Sequence, residues 1–389
     1  MAYFVISTIL TIVKVKLLMI RYDNSVEMRG VFSFTALGLC CFACAYDNLS
    51  TDTAKPDNDK DKKAQASNDA PKGVLSGYIQ SQYFSTDRSG QQSGFFRNRR
   101  VRLAYNYMAD DKTMGRMSIE FDAGANHNTS QIRDGYIQYK PGGFKATSGP
   151  SFTIGAQAVP IGYDVQYSSG TRYWPEQSIY ENTFFSGEDS NGLIYQNGTA
   201  SNYWYVGGMD SITVNDPEKI DSATKGEISV IGGVHEKRGA WEGGLSAMSG
   251  KRPAYAAGAV SLAATDRRFA YADLRYHPDG SKFDVRSEYM MGLDRVPLAA
   301  VAAGNKVSGG HINVDYKLNP MDTAILRYEM FDRDTAVDGN TQTLYGIGFA
   351  KDVSKNLRAT FAADWNKNPN NAVGQQNYRT FTFRVQFKF

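Results

Sequence analysis

The sequence has few cysteines, and all of them lie near its start. Cys40, Cys41 and Cys44 are the three cysteines of the 389-residue chain. They belong to residues 29–45, an apolar stretch that opens with arginine and ends in Ala-Cys-Ala, which is the form of a secretory signal with its cleavage site. Cleavage after Ala45 leaves a chain without cysteine and therefore without disulfide or thiol chemistry. Lipid attachment at Cys40 or Cys44 is the alternative.

Long hydrophobic runs are also missing after residue 45. No stretch of about 18 uncharged apolar residues occurs there, so the sequence predicts no membrane-spanning helix in the mature chain. Mean hydropathy is −0.43, yet aromatic residues make up 13% of the chain and 37 residues are glycine. Such a composition suits a large soluble β protein or a membrane barrel, because a barrel exposes only half of each strand to lipid.

Charge of one sign is not in large excess. The formal net charge is +3, of which the predicted signal at 1–45 contributes +2. Residues 46–72 are polar, carry a net charge of −1 and predict a disordered periplasmic leader, which leaves +2 for residues 73–389. A chain this close to neutrality is not a general nucleic-acid binder. Residues 1–27 resemble an extension upstream of a true start at Met28; a genuine long n-region of the signal, or a signal anchor, is the alternative.

Motifs for catalysis, metals and cofactors are also missing. None of the four histidines has the spacing of a metal site or stands beside a serine or cysteine nucleophile motif. No glycine-rich phosphate loop precedes a helix. We therefore expect no catalytic residue, no metal and no cofactor. The histidines are His127, His235, His277 and His311.

Alternation of apolar and polar residues is the dominant pattern of the chain. The last residues read FTFRVQFKF (381–389), with phenylalanine or valine at every odd position. Successive side chains of a strand point to opposite faces, so this strand has one apolar and one polar face. Similar short segments recur from Gly73 onward, and no long window has helical periodicity. Further examples are 101–108, 135–140, 312–318, 324–331 and 357–365.

The connections between these segments alternate in length. Tight turns, such as 109–113 and 278–281, alternate with longer connections, such as 159–190 and 293–307. This alternation is typical of bacterial transmembrane barrels, which have short periplasmic turns and long outer loops. Counting 254–264 as a strand would break the rule, so we assign it to a loop. The prediction is an all-β fold, a 16-stranded antiparallel transmembrane β-barrel whose last strand pairs with the first, so that no sheet edge is left in hydrocarbon.

Strand parity predicts which charged side chains line the interior. Arginine or lysine at the lipid midplane costs about 2–4 kcal/mol, so charges of consistent parity indicate a wet lumen. Arg97 and Arg99 share the lipid parity of Val101 and are expected at the rim, within reach of headgroups. The strand residues predicted to line the pore are Arg100, Arg102, Arg116, Glu120, Asp122, Arg286, Arg327, Arg358 and Arg384.

The longest connection of the first half, 159–190, is the candidate constriction loop. It carries five acidic residues against Arg172, a net charge of −4. Facing a basic wall of Arg100, Arg102 and Arg116, such a loop would set up a transverse field across a narrow aqueous gap. The alternative is that these charges merely solvate the lumen and pair with Glu120 and Asp122. The candidate residues of the loop are Asp164, Arg172, Glu176 and Glu181.

Three stretches together resemble the phosphate-selective porin O and P family. They are GFFRNRRVRLAYNYMADDKTMGRMSIEFDAG (94–124), IRDGYIQYK (132–140) and FTIGAQAVPIGYD (152–164). The resemblance implies a sixteen-stranded barrel, a homotrimer and an inward-folded third extracellular loop. Phe389 resembles the terminal aromatic residue by which the barrel-assembly machinery recognises its clients.

These features together predict an integral outer-membrane porin. We expect the lipid bilayer as its surroundings and passive diffusion of small anionic or polar solutes, with a mild preference for anions. Two alternatives stay open: a dedicated phosphate or polyphosphate channel, and a structural or adhesive barrel whose long loops bind a partner.

Overall fold

The computed structural model describes residues 72–88, 93–124, 127–214, 216, 227–257, 260–297, 304–371 and 375–389. The predicted signal and nearly all of the predicted leader lie outside these residues, and so does the side chain of Asp122. The first strand begins at Lys72, the last residue of the predicted leader.

The described residues contain eighteen strands and one short helix, α1, at Ile179–Phe184. The strands are β1 Lys72–Thr86, β2 Ser93–Met108, β3 Thr113–Gly124, β4 His127–Tyr139, β5 Ser148–Ala158, β6 Asp189–Thr199, β7 Tyr203–Asp210, β8 Ile228–Arg238, β9 Trp241–Arg252, β10 Tyr255–Ala257, β11 Val260–Leu262, β12 Thr265–Tyr276, β13 Phe283–Asp294, β14 Asn305–Lys317, β15 Asp322–Asp332, β16 Gln342–Asp352, β17 Leu357–Lys367 and β18 Asn377–Lys388.

Sixteen of the described strands form one closed antiparallel barrel, which confirms the predicted fold. β10 and β11 pair only with each other in the described sheets, so the assignment of 254–264 to a connection between barrel strands is correct. β1 pairs with β18 from Thr86 to Tyr78. Two further backbone hydrogen bonds join Gly77 and Phe389, at 2.9 and 3.1 Å. The last strand therefore closes the sheet on the first, as the alternating C-terminal sequence predicts.

The two faces of the barrel have opposite polarity, and the apolar face is the exposed one. In β18, Phe381 and Phe387 are exposed, whereas Thr382, Arg384 and Gln386 are buried. A soluble protein buries the apolar face of such a strand, because removing apolar surface from water is favourable. The inverted arrangement is stable where hydrocarbon surrounds the barrel and polar groups are satisfied inside it. Separately, no helix among the described residues is long and apolar enough to cross a membrane.

A β-bulge in β2 changes the facing of two predicted rim residues. Gln80 pairs with Arg100 but Ser81 pairs with Asn98, so Arg99 is the extra residue. A bulge inserts one residue and shifts the side-chain alternation beyond it. Arg97 consequently pairs with the buried Gln82 and stacks over aromatic rings, and Arg99 reaches the segment between β5 and β6. The expectation that both arginines share the lipid parity is wrong for this reason.

The connections define two rims. At one rim the strands are joined by short turns, such as 239–240 and 318–321. At the other rim the connections are mostly longer, and the longest covers residues 159–188. We call these the short-turn rim and the long-connection rim, and we call residues 159–188 the crossing segment.

Candidate functional site

The crossing segment contacts inner-face side chains of strands on widely separated parts of the barrel. Near its start, the Gly162 N–H donates to Ser246 of β9 at 3.0 Å. In its middle, the Ser169 carbonyl accepts from Gln80 of β1 at 2.9 Å. Near its end, the Ile179 N–H donates to Glu329 of β15 at 2.9 Å. These partners belong to strands far apart in the barrel order, so the segment is held from several sides.

Two glycines of the barrel make room for aromatic side chains of the crossing segment. A Cβ atom at Gly309 of β14 would lie 2.6 Å from the Tyr180 ring, and one at Gly346 of β16 would lie 2.3 Å from Trp174. Atoms do not approach this closely without displacement, so only glycine fits at these two positions. Both aromatic side chains are buried, Tyr180 in the larger apolar cluster and Trp174 in the smaller one.

A polar network anchors α1 within this apolar cluster. The Tyr180 hydroxyl donates to Glu288 at 2.8 Å and lies 2.8 Å from His311 Nδ1. The second oxygen of Glu288 accepts the N–H groups of Tyr163 and Asp164. One carboxylate on β13 thus binds the crossing segment at two places. Removing one partner of such a buried group costs about 1–3 kcal/mol, because the other is left unsatisfied.

Glu181 is enclosed in the same place without a basic partner. It is fully buried, and neither of its carboxyl oxygens has a hydrogen bond of ordinary geometry to the described residues. Burial raises the pKa of Glu181 well above its ordinary value, and the neighbouring Glu288 and Asp164 raise it further. This environment therefore favours the protonated, neutral form of Glu181.

Asp164 has the opposite environment although it is equally enclosed. It accepts the Ser178 N–H at 2.7 Å, and Arg172 lies 3.5 Å from its other oxygen. Arg327 of β15 lies 3.9 Å away. Burial opposes ionisation of Asp164, but these partners outweigh it and hold its pKa well below the ordinary value. Asp164 therefore stays ionised, whereas the surroundings of Glu181 favour its neutral form.

A cluster of arginines lies where β18, β1 and β2 meet the crossing segment. Glu176 accepts from Arg384 at 2.6 Å and from Arg99 at 3.0 and 3.1 Å. Burial opposes ionisation of Glu176, but Arg99, Arg384 and Arg100 hold its pKa well below the ordinary value. On β3, Glu120 lies 3.6 Å from Arg100 and accepts from Arg102 at 2.7 Å. We call Arg99, Arg100, Arg102 and Arg384 the arginine cluster; it holds four guanidinium groups against these two carboxylates.

Arg133 of β4 joins this wall to the end of the crossing segment, and sequence reasoning did not single it out. Its guanidinium lies 3.7 Å from Glu120 and 3.2 Å from Glu188, and it also bonds Asp189. The stretch IRDGYIQYK contains this residue, but parity counted from the exposed Ile137 and Tyr139 assigns Arg133 to the lipid side; a register shift in the β3–β4 pairing turns its side chain inward. Arg133 and Glu188 thus provide a contact that we expected from Arg100 and Arg102.

Three other predicted pore residues, Arg116, Arg286 and Arg358, are also on the inner face, but their partners differ from the expectation. Arg116 donates to Asp134 of β4 at 2.9 Å rather than facing an acid of the crossing segment. Arg286 lies 3.2 Å from Asp315. Arg358 of β17 donates to the Thr171 carbonyl at 3.1 Å. Neighbouring strands therefore neutralise much of the predicted basic wall.

A cavity of about 140 Å³ lies under the crossing segment. Tyr163, Gln166 and Tyr167 line it from the segment. Arg102 and Arg116 line it from one wall of the barrel, and polar or charged side chains of β8, β9 and β12 line it from another. The latter are His235, Glu242, Asp273 and Arg275. The lining is polar and of both signs, which suits water and small hydrophilic solutes.

Comparison with known proteins finds similarity in structure alone. No protein-family model matches the chain, and no curated protein matches it in sequence. Among solved structures, an anion-selective porin from Comamonas acidovorans is similar with a TM-score of 0.58 and 12% identity, over 82% of this chain and 100% of that one. The trimer form of OmpT, an outer membrane protein of Vibrio cholerae, gives the same four values. The outer membrane channel DcaP of Acinetobacter baumannii has a TM-score of 0.57 and 9% identity, over 82% and 98%. At these identities the comparison establishes the fold.

Proposed function

We propose that this protein is an outer-membrane porin that lets small hydrophilic solutes and ions diffuse passively. The observation that carries the proposal is the pairing of a closed sixteen-stranded barrel with a charged, polar inner face. Sixteen strands enclose more space than their own side chains fill. The crossing segment narrows this space and acts as the constriction. The structural similarity to porins and channels supports the same role.

The channel prefers anions mildly. The support is the arginine cluster, in which four guanidinium groups pair with two carboxylates, Glu120 and Glu176. Excess arginine at a narrow point favours anions. Glu188 and Asp189, which pair with the nearby Arg133, balance part of this positive surplus. We therefore expect the anion preference to be small.

Orientation, assembly and the lack of catalysis are parts of the same proposal. The short-turn rim faces the periplasm, and the long-connection rim faces outward, as is usual for bacterial barrels. A homotrimer is supported by the trimer form of a similar structure. Phe389 follows the last strand and is exposed on the outside of the barrel, where assembly factors have access to it. We assign no enzymatic activity to the barrel.

The test is recording from the purified protein in a planar bilayer under a salt gradient. We expect discrete conductance steps and a reversal potential displaced from zero toward the equilibrium potential of the anion. Below, the anion side and the cation side mean displacement toward the equilibrium potential of that ion. Arg100→Ala/Arg102→Ala should move that potential toward the cation side, whereas Arg238→Ala, an exposed residue near a short turn, should not. An unchanged potential in the double variant would show that the constriction is elsewhere.

The same recording separates the alternatives. Block of the current by phosphate at low concentration, abolished by Arg100→Ala, would favour a dedicated phosphate channel. Folded protein that inserts but gives no conductance would favour a structural or adhesive barrel.

A further inference from the structure

An open groove lies on the outward surface where β16, β17 and β18 approach the long-connection rim. Its volume is about 400 Å³. Trp365 of β17 pairs with Tyr345 on one side and with Arg379 on the other, so the three form a row across the strands. Lys367 lies two residues closer to the rim on β17, and Asp87 closes the groove beside Arg379.

The outward face is apolar further from the rim than the groove. In the next row of outward-facing residues, Ala363 lies between Ile347 and Phe381, and these two flanking side chains are exposed. Beyond them, Phe361 and Phe383 stack with ring centroids 4.5 Å apart. A hydrocarbon chain that leaves the aromatic row therefore lies against apolar side chains.

The rim end of the groove has a surplus of positive charge. Asp87 accepts the Arg379 backbone N–H at 2.6 Å and its Nε–H at 2.8 Å. These hydrogen bonds lower the pKa of Asp87, so the carboxylate is ionised and fixes the guanidinium. The terminal nitrogens of Arg379 and the Nζ of Lys367 have no hydrogen-bond partner among the described residues, and the Arg379 side chain is 73% exposed.

We propose that this groove binds the phosphate-bearing headgroup of a membrane lipid, with an acyl chain lying over Ala363. Lys367 and Arg379 supply donors for the phosphate, and arginine forms paired hydrogen bonds to phosphate oxygens. Trp365 and Tyr345 are of the two residue types that are enriched at the level of the lipid headgroups. The inference rests on the proposed membrane insertion but not on conduction, because the groove is on the outside of the barrel.

Native mass spectrometry of the detergent-purified protein tests the proposal. The probes are lipid A and the same lipid after removal of its phosphates. We expect wild type to retain lipid A about tenfold more tightly than the dephosphorylated lipid. Lys367→Ala/Arg379→Ala should abolish that difference. Arg268→Ala is the matched control, because Arg268 is an exposed arginine on β12 that is also paired with an aspartate, Asp266, at 2.8 Å.

Each outcome bears on the proposal. Equal retention of the two lipids by wild type would overturn it, and so would an equal loss in Arg268→Ala. Inorganic phosphate added at millimolar concentration should not displace the lipid; complete displacement would overturn the lipid assignment and indicate a simple anion site. The double variant should give the wild-type reversal potential in the bilayer recording. A protein that binds lipid A selectively but never conducts would refute the porin function and leave this proposal standing.

Discussion

Glu181 is an enclosed carboxyl group with a raised pKa, and its protonation links the position of the crossing segment to pH. In the packed segment its pKa lies well above its ordinary value, chiefly because of burial. A released segment would expose the group and return the pKa to about 4.5. The packed state therefore binds more protons than the released state above that pH. It follows that packing is strongest in acid and weakens as the pH rises toward the raised pKa.

We predict that Glu181→Gln removes this pH dependence. Glutamine has the shape of the neutral acid and does not titrate. In wild type the equilibrium between packed and released segment should shift toward release by up to about tenfold per pH unit. Hydrogen–deuterium exchange of α1, corrected for the intrinsic effect of pH, measures this shift between pH 5 and pH 8. Identical slopes for wild type and variant would contradict the assignment.

Glu176 sets the net charge of the arginine cluster. Its carboxylate bonds both Arg99 and Arg384, so Glu176→Gln removes one negative charge and retains the shape. We predict a reversal potential further to the anion side than in wild type. Asp322→Asn is the control, since Asp322 pairs with Lys351 near the exposed short-turn rim. A shift of equal size in the control would mean that the cluster does not control selectivity.

At the scale of single elements, the strands could be predicted from sequence but the bulge could not. The alternation in segments such as 381–389 has a period of two, and the sheet imposes this period over its whole length. The bulge at Arg99 is one inserted residue inside a run of charged side chains. Nothing in that run marks where the alternation shifts, so Arg97 and Arg99 are misassigned by parity.

The bulge predicts which residues of β1 and β2 can be joined by a disulfide. Directly opposite residues of antiparallel strands have Cα atoms about 4.5–5.5 Å apart, which suits a disulfide. Ser81 lies opposite Asn98, and their side chains are in contact at 2.7 Å. Ser81→Cys/Asn98→Cys should therefore cross-link on mild oxidation, and Ser81→Cys/Arg99→Cys should not. No cysteine follows Cys44 in the sequence, so gel mobility reports the result without interference. The reverse outcome would mean that β2 has no bulge.

The glycine under Tyr180 predicts how the crossing segment is held. Gly309→Ala places a methyl group against the Tyr180 ring, and overpacking of this kind costs typically about 1–3 kcal/mol. We predict a larger and noisier conductance, because α1 moves away from β14. Gly115→Ala is the matched control on β3, since a Cβ there meets no atom within 4 Å. Wild-type current in Gly309→Ala would show that α1 does not depend on this contact.

At the scale of the whole molecule, the contacts inside the barrel are harder to predict from sequence than the strands that form its wall. Parity predicts that Arg100, Arg102 and Arg384 face the interior, where they contact Glu120 or Glu176. The partners of these residues depend on how the crossing segment folds. Some of these contacts join residues far apart in the sequence; Arg384 and Glu176 are 208 positions apart. Alternation along one strand carries no information about these contacts. For the same reason, the apolar cluster around α1 was not foreseen.

The central claim is that hydrocarbon surrounds the barrel and that polar groups fill it. Spin labels placed one at a time from Thr380 to Phe387, in protein reconstituted into lipid vesicles, test it most directly. Collision with oxygen dissolved in the lipid should be high at the odd positions, 381 to 387, and low at the even positions, 380 to 386. A profile without this alternation, or one with the opposite phase, would contradict the account.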